Sequence, residues 1–301
     1  MSRDFSSGNR LNVGNPAATN IPGTALTLST WFRQDAAGSG TLIGKYQAGT
    51  ERQYLLYVTG GSQLSMLVGD GGPTNFDEAI GNTLPNQQWI HGAGVKNGTG
   101  SNALKVYVGG KEQNSVTSNL VMTTTSRALL FGELSSLNLP LNGQMAHTAI
   151  WDVPLTPQEI HLLSLGISPL FIRPNSLKGY WPLDDYGASG IARDHSLHNN
   201  TATMTGTVGL TPQPLRRPIS EYTLLVGIPG TPGVNYNDSA TVYVKITPSG
   251  FEFFDEEEAC FVGEGEAMLR WEIAGVENRW QVFQEMEPRF RAEFGLGART
   301  C

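Results

Sequence analysis

Cysteine is nearly missing: 301 residues hold two, Cys260 and Cys301. Two thiols make no disulfide framework, so two free thiols are expected, in a chain made in a reducing cytoplasm. Charge is thin as well, at 16% of residues, with 20 Lys and Arg against 27 Asp and Glu. The net charge of −7 lacks the basic footprint a phosphate backbone requires, so no nucleic-acid partner is expected. No run of 18 apolar residues occurs, which predicts no membrane insertion. The opening Met1-Ser2-Arg3-Asp4 is not a basic segment followed by an apolar one, so no signal peptide is read there.

Turn-forming residues are abundant instead. There are 36 Gly and 17 Pro with no collagen period, which suits many short strands joined tightly. Hydrophobic residues make up 39% of the chain. That is enough for a sizeable core, and the length suggests two domains.

Alternation marks the strands. In Ala25 to Phe32, residues Leu26, Leu28, Thr30 and Phe32 share one face. Tyr54 to Val58 and Leu64 to Val68 flank Thr59-Gly60-Gly61-Ser62 and read as a hairpin. Gln88 to Val95 and Leu104 to Val108 form a second pair around Asn97-Gly98-Thr99-Gly100-Ser101, and Gly109-Gly110 closes the latter strand. Further strands are expected at Ala128–Gly132, Gly143–Trp151, Leu177–Leu183 and Ala202–Thr205. One helix is expected. Thr156 is its N-cap, Pro157 its first residue and Glu159 the third, with Ile160 and Leu163 facing inward and Gly166 ending it. The architecture is therefore all-β, with many short strands and one short helix over 1–210. A Pro-rich linker at 211–219 and a smaller β-sandwich at 220–301 follow. The last is read from strand-like runs at 221–228, 240–247, 251–254, 267–273 and 279–283.

Several segments together resemble a known family. Asp4-Phe5-Ser6-Ser7-Gly8-Asn9, Leu26 to Phe32, Leu42-Ile43-Gly44-Lys45-Tyr46, Gln88-Trp89-Ile90-His91 and Gly143 to Trp151 with Leu155 to Ile160 are similar, in order and spacing, to motifs of the laminin-G-like jelly-roll family. That family lies within the concanavalin-A-like lectin/glucanase superfamily, and the resemblance, which covers about 1–217, implies an antiparallel lectin-like jelly-roll sandwich. Tyr180-Trp181-Pro182-Leu183 and Asp194 to Asn200 come last here, whereas many members carry such a segment first. The chain looks circularly permuted, which close termini tolerate. Ile172-Arg173-Pro174 before that strand resembles lectin-like domains of tailed-bacteriophage structural proteins. The resemblance implies that Trp31, Trp89, Trp151 and Trp181 pack inside.

Chemistry-bearing constellations are few. Glucanases of this fold set two carboxyls on one strand as Glu-x-Asp-x-Glu or Glu-x-Asp-x-x-Glu, and retaining chemistry needs them about 5–5.5 Å apart. No such run occurs in 1–210. Asp77 and Glu78 are adjacent and face opposite sides of a strand, and Asp255 to Glu258 read as a solvated loop. The histidines, His91, His147, His161, His195 and His198, lack metal spacing. Calcium is the cofactor to consider, since many lectin-like sandwiches bind it through loop oxygens. Asp70 with Asn75 and Asp77, or Asp184, Asp185 and Asp194, are the donors at hand, although six to eight oxygens are wanted. Tyr46 and Tyr186 are the candidate sugar contacts. No catalytic residue is assigned.

The resemblance implies a non-enzymatic bacteriophage virion protein, a capsid decoration or tail-associated component. It would be placed in the virion, hold other virion proteins or copies of itself, and display a lectin-like domain to host-surface glycan. A free carbohydrate-binding lectin is the alternative, and a glycoside hydrolase on the same fold the second alternative.

Overall fold

The computed structural model describes residues 2–134, 139–183, 190–206 and 209–211, together with the strand backbone at 222–226, 240–247, 250–255 and 260–261. The chain opens with β1 (Ser2–Phe5), β2 (Arg10–Gly14), β3 (Ala25–Gln34), β4 (Gly40–Gln47), β5 (Glu51–Val58), β6 (Gln63–Gly69) and β7 (Phe76–Thr83). Next come β8 (Ile90–Asn97), β9 (Gly100–Val108), β10 (Lys111–Ser118), β11 (Leu129–Phe131), β12 (Gly143–Trp151) and helix α1 (Pro157–Ser164). Then follow β13 (Leu177–Trp181), β14 (Ile191–Ala192), β15 (Ala202–Thr205) and β16 (Gly209–Thr211). The last strands are β17 (Tyr222–Val226), β18 (Ala240–Thr247), β19 (Gly250–Asp255) and β20 (Cys260–Phe261).

Contacts divide the chain into Met1–Leu215 and Arg216–Cys301. In the first unit one sheet runs β10-β9-β8-β3-β12-β1-β16, with β13 also on β12, and the other runs β14-β15-β2-β11-β4-β5-β6-β7. All their pairings are antiparallel, which makes the all-β jelly-roll sandwich with one short helix. In the second unit a four-stranded sheet, β17-β18-β19-β20, is described. The expected strands at 267–273 and 279–283 lie outside the described residues. Thr211, the first residue of the expected linker, ends β16 by pairing with Ser2, and the rest of that linker lies outside the described residues.

Period-2 alternation fills the space between the sheets. Leu26, Leu28 and Phe32 of β3 meet Tyr54, Leu56 and Val58 of β5 and Leu64, Met66 and Val68 of β6, all nine-tenths or more buried. Such residues each gain about 1.5–3 kcal/mol by leaving water. The sheets approach closely at Gly94, where an added Cβ would stand 2.6 Å from the Met66 side chain. Trp181 packs edge-on against Phe131, with ring centroids 4.9 Å apart.

The outer face of the β3–β8 sheet is covered by α1. Ile160 and Leu163 pack with Val95, Tyr107 and Trp151. Thr156 accepts from Glu159 N, and the Glu159 carboxylate accepts from Thr156 N, so the capping box forms as expected. At the other end Gly166 N donates to Leu163 O and Ile167 N to Leu162 O, a Schellman closure with Gly166 at φ +94°.

Two strands escape the alternation test. β7 and β10 are largely polar edge strands, and their side chains close the sandwich border: Asn114 Nδ2 donates to Ile80 O and Asn82 Nδ2 to Gln113 Oε1. Polar side chains at exposed edges also oppose edge-to-edge association. Two of the four tryptophans depart from expectation. Trp151 and Trp181 are fully buried, but Trp31 and Trp89 are only half-buried. Trp31 falls between Thr30 and Phe32, so pleating turns it to the outer face, where it meets His91 edge-on at 5.6 Å.

Candidate functional site

Consecutive strands β4, β5, β6 and β7 bring three separated segments to one end of their sheet. A register shift between Lys45 and Tyr46 pairs Tyr46 with Arg52. The Arg52 guanidinium lies 5.6 Å from the Tyr46 ring centroid and 4.8 Å from that of Phe76, which is cation–π range. Its Nη1 donates to Thr74 O at 3.1 Å. Tyr46 is half-buried and packs on Leu55, Leu67, Leu130 and Leu134, whereas Phe76 is 43% exposed.

The β6–β7 loop that carries Phe76 is firmly tied. Asp70 Oδ1 accepts from Gly72 N, and Oδ2 from Asn75 Nδ2, both at 2.8 Å. The Asn75 amide, then the Gly72 N–H, hold the Asp70 carboxyl below its ordinary range. Gly71 N donates to Arg52 O, and Thr123 Oγ1 to Asp70 O. Gly71 sits at φ +89°, where an added Cβ would stand 2.0 Å from Thr123 Oγ1, so only glycine lets the two loops meet this closely.

Polar bonds fix the neighbouring segment too. The Glu51 carboxylate takes Arg127 Nε and Ser126 Oγ, which lowers its carboxyl from the usual range, Arg127 first and Ser126 next. Lys45 is fully buried, and its ammonium donates to Asn15 Oδ1 and Arg127 O. Burial pushes it down to about 8.

Asp70 and Asn75 are thus hydrogen-bonded to each other beside Phe76, with Tyr46 across Arg52. Asp77 is parted from them by the pleat. It pairs with Val68 and acts on Lys96, whose buried ammonium is lowered by desolvation and partly restored by Asp77. Glu78 returns to the outer face and accepts from Tyr57 Oη and Ser65 Oγ. Burial, then Glu78, raises the Tyr57 phenol well above its usual range. Asp77 and Glu78 therefore face opposite sides. Tyr186, Asp184 and Asp185 lie outside the described residues.

Asp194 has a structural duty. Its Oδ1 accepts from Tyr180 N and Ser196 N, and its Oδ2 from Asn200 N, closing the turn that carries His195 and His198. His91 is 1% exposed and its Nε2 bonds Ser29 Oγ at 2.8 Å. His147 Nδ1 bonds Tyr180 Oη. Among the described residues no group of three or more His, Cys, Asp or Glu stands together as metal ligands, and no helix is long and apolar enough to cross a membrane.

Arg52 and Phe76 were absent from the sequence reading. Phe76 lies inside the Asp70–Asp77 stretch, where an aromatic beside turn residues is a readable signal. Arg52 has none, because a bulge sets its partner.

A family model described as the concanavalin A-like lectin/glucanases superfamily matches residues 5–161. No curated protein matches the chain. Among solved structures, one similar chain is a Bacteroides ovatus protein assigned as a carbohydrate binding protein. It is 17% identical with TM-score 0.52, and the match covers 69% of this chain and 59% of that one. A second is the CBM40 of the Ruminococcus gnavus IT-sialidase bound to α2,3-sialyllactose, at 9% identity and TM-score 0.42, covering 55% and 98%. A third is the SAP-like pentraxin of Limulus polyphemus, at 12% identity and TM-score 0.38, covering 54% and 84%. The fold is one shared by diverse lectin-like and carbohydrate-binding domains. None of these three is a phage protein, so the virion expectation gains no support.

Proposed function

The chain belongs to the concanavalin A-like lectin/glucanases superfamily, and from that membership we propose that its sandwich is a non-enzymatic carbohydrate-binding module. The observation that carries the reading is the rim of β4–β7. There an exposed aromatic, Phe76, stands beside a fixed guanidinium and the Asp70–Asn75 pair. Sugar sites combine an apolar surface for the ring with a few placed polar groups for its hydroxyls, and this rim offers both. Its groups are already held by Gly72, Thr74 and Thr123, so little ordering is left for binding to oppose. The partner in this reading is a cell-surface glycan; virion neighbours have no support from the matched structures.

The test is a glycan array followed by calorimetry on the hits, with and without calcium. Phe76→Ala weakens a hit by about tenfold if it is an anchor of the contact. A folded protein that binds nothing on the array in either condition refutes the reading. Loss of binding with chelator instead makes the binding calcium-dependent. The hydrolase alternative has its own test: reducing-sugar release from polysaccharides would revive it, although Asp77 and Glu78 point to opposite faces.

A further inference from the structure

The rim has spent its carboxylates and kept its cation. Asp70 is satisfied by Gly72 and Asn75, and Glu51 by Arg127 and Ser126. Arg52 has no ion pair with any described carboxylate. The pairs found are Arg33–Asp35, Lys105–Glu112, Arg127–Glu51, Arg173–Glu159 and Lys178–Asp152. A guanidinium carries five N–H donors. Arg52 gives one from Nη1 to Thr74 O, and its Nε is sealed from water with no partner. The other Nη1 hydrogen and both on Nη2 are left; of the Nη2 pair, one points to the end of the group and one to the side it shares with Nε–H. Hydrogens on two different nitrogens of one rigid plane are therefore open, which suits the two oxygens of a carboxylate. Tyr46 and Phe76 hold the guanidinium between them, so its orientation is set before a ligand arrives.

We propose that this rim selects an acidic sugar, one whose carboxylate is taken by the free Nη hydrogens of Arg52 while the sugar rests against the exposed part of Phe76. The proposal rests on the carbohydrate-binding reading above. It adds a charge requirement that reading does not contain, in a chain whose net charge of −7 gives no general attraction for anions.

The experiment is calorimetry on the full chain with two matched pairs of probes: tri-galacturonate against its methyl ester, and sialyllactose against lactose. At least one acid is expected to bind about tenfold or more tightly than its neutral partner, the usual worth of a charge-assisted hydrogen bond. Raising salt shrinks that preference in the unaltered protein. Arg52→Gln abolishes the preference, and Arg52→Lys, which keeps the charge but loses the rigid plane, restores only part of it. The thermal midpoint of each variant is measured alongside; if Arg52→Gln does not fold, the salt titration and Arg52→Lys decide.

Equal binding of acid and neutral partner, or a preference that survives Arg52→Gln, overturns the carboxylate assignment and leaves the carbohydrate reading standing. Binding of neither member of either pair also overturns it. A blank glycan array on top of that removes the carbohydrate reading as well.

Discussion

Replacing His91 with glutamine removes one proton-linked component of stability, and its size follows from the structure. The imidazole is 1% exposed. It has one partner, Ser29 Oγ, and its Nδ1 has none. Burial pushes it down to about 3 from an ordinary value of 6.5. The folded chain therefore refuses a proton that the unfolded chain accepts, and the contribution is complete above pH 6.5 and lost as pH falls towards 3. From pH 7 to pH 5 the unfolded imidazole goes from about a quarter to almost fully protonated while the folded one stays neutral. Linkage then gives a loss of about 2 kcal/mol. The assay is urea unfolding of the native chain and His91→Gln at pH 7 and pH 5. Glutamine keeps a donor and an acceptor for Ser29 but carries no titrating group. The native chain should lose about 2 kcal/mol more than the variant. Equal losses in the two proteins would refute the reasoning, as would an imidazole seen by NMR to titrate near 6.

Lys45 gives the opposite end of the pH scale. Its folded value of about 8 lies below the ordinary 10.5, so its contribution grows as pH rises from 8 towards 10.5. Urea unfolding at pH 8 and pH 9.5 should show that gain in the native chain and not in Lys45→Met. Gly94→Val drives methyl groups into Met66 and should cost about 1–3 kcal/mol in the same assay; an unchanged midpoint would mean the sheets lie further apart there. Thr156→Ala removes the capping box and should cost about 1 kcal/mol, with Thr156→Ser restoring most of it. Gly71→Ala forces the β6–β7 loop away from Thr123. It should weaken glycan binding more than it lowers the thermal midpoint if that loop builds the contact.

Local chemistry was legible wherever it repeats along the chain. The alternation of Leu26, Leu28 and Phe32 placed a core face, Gly60-Gly61 placed a hairpin, and Thr156-Pro157-Gln158-Glu159 placed the start of the helix. Each signal is carried by residues within one turn or one strand, so a linear reading reaches it. The polar strands β7 and β10 were not legible, because an edge strand earns its place by backbone pairing and presents little apolar alternation. Trp31 was assigned to the core from a family pattern, but its odd position on β3 turns it outward.

The candidate site divides in the same way. The loop chemistry of Asp70, Gly71, Gly72 and Asn75 is written in consecutive residues, and so is the opposite facing of Asp77 and Glu78. Neighbouring residues are thus enough to specify an all-β chain with the loop and the cap that build it. The meeting of Arg52 with Tyr46 and Phe76 depends instead on long-range pairing. That arrangement needs three strand pairings and a bulge at Lys45–Tyr46 that shifts Arg52 into register. A bulge adds one residue to one strand and reverses every facing beyond it, and the residue composition around it gives no sign of where it falls.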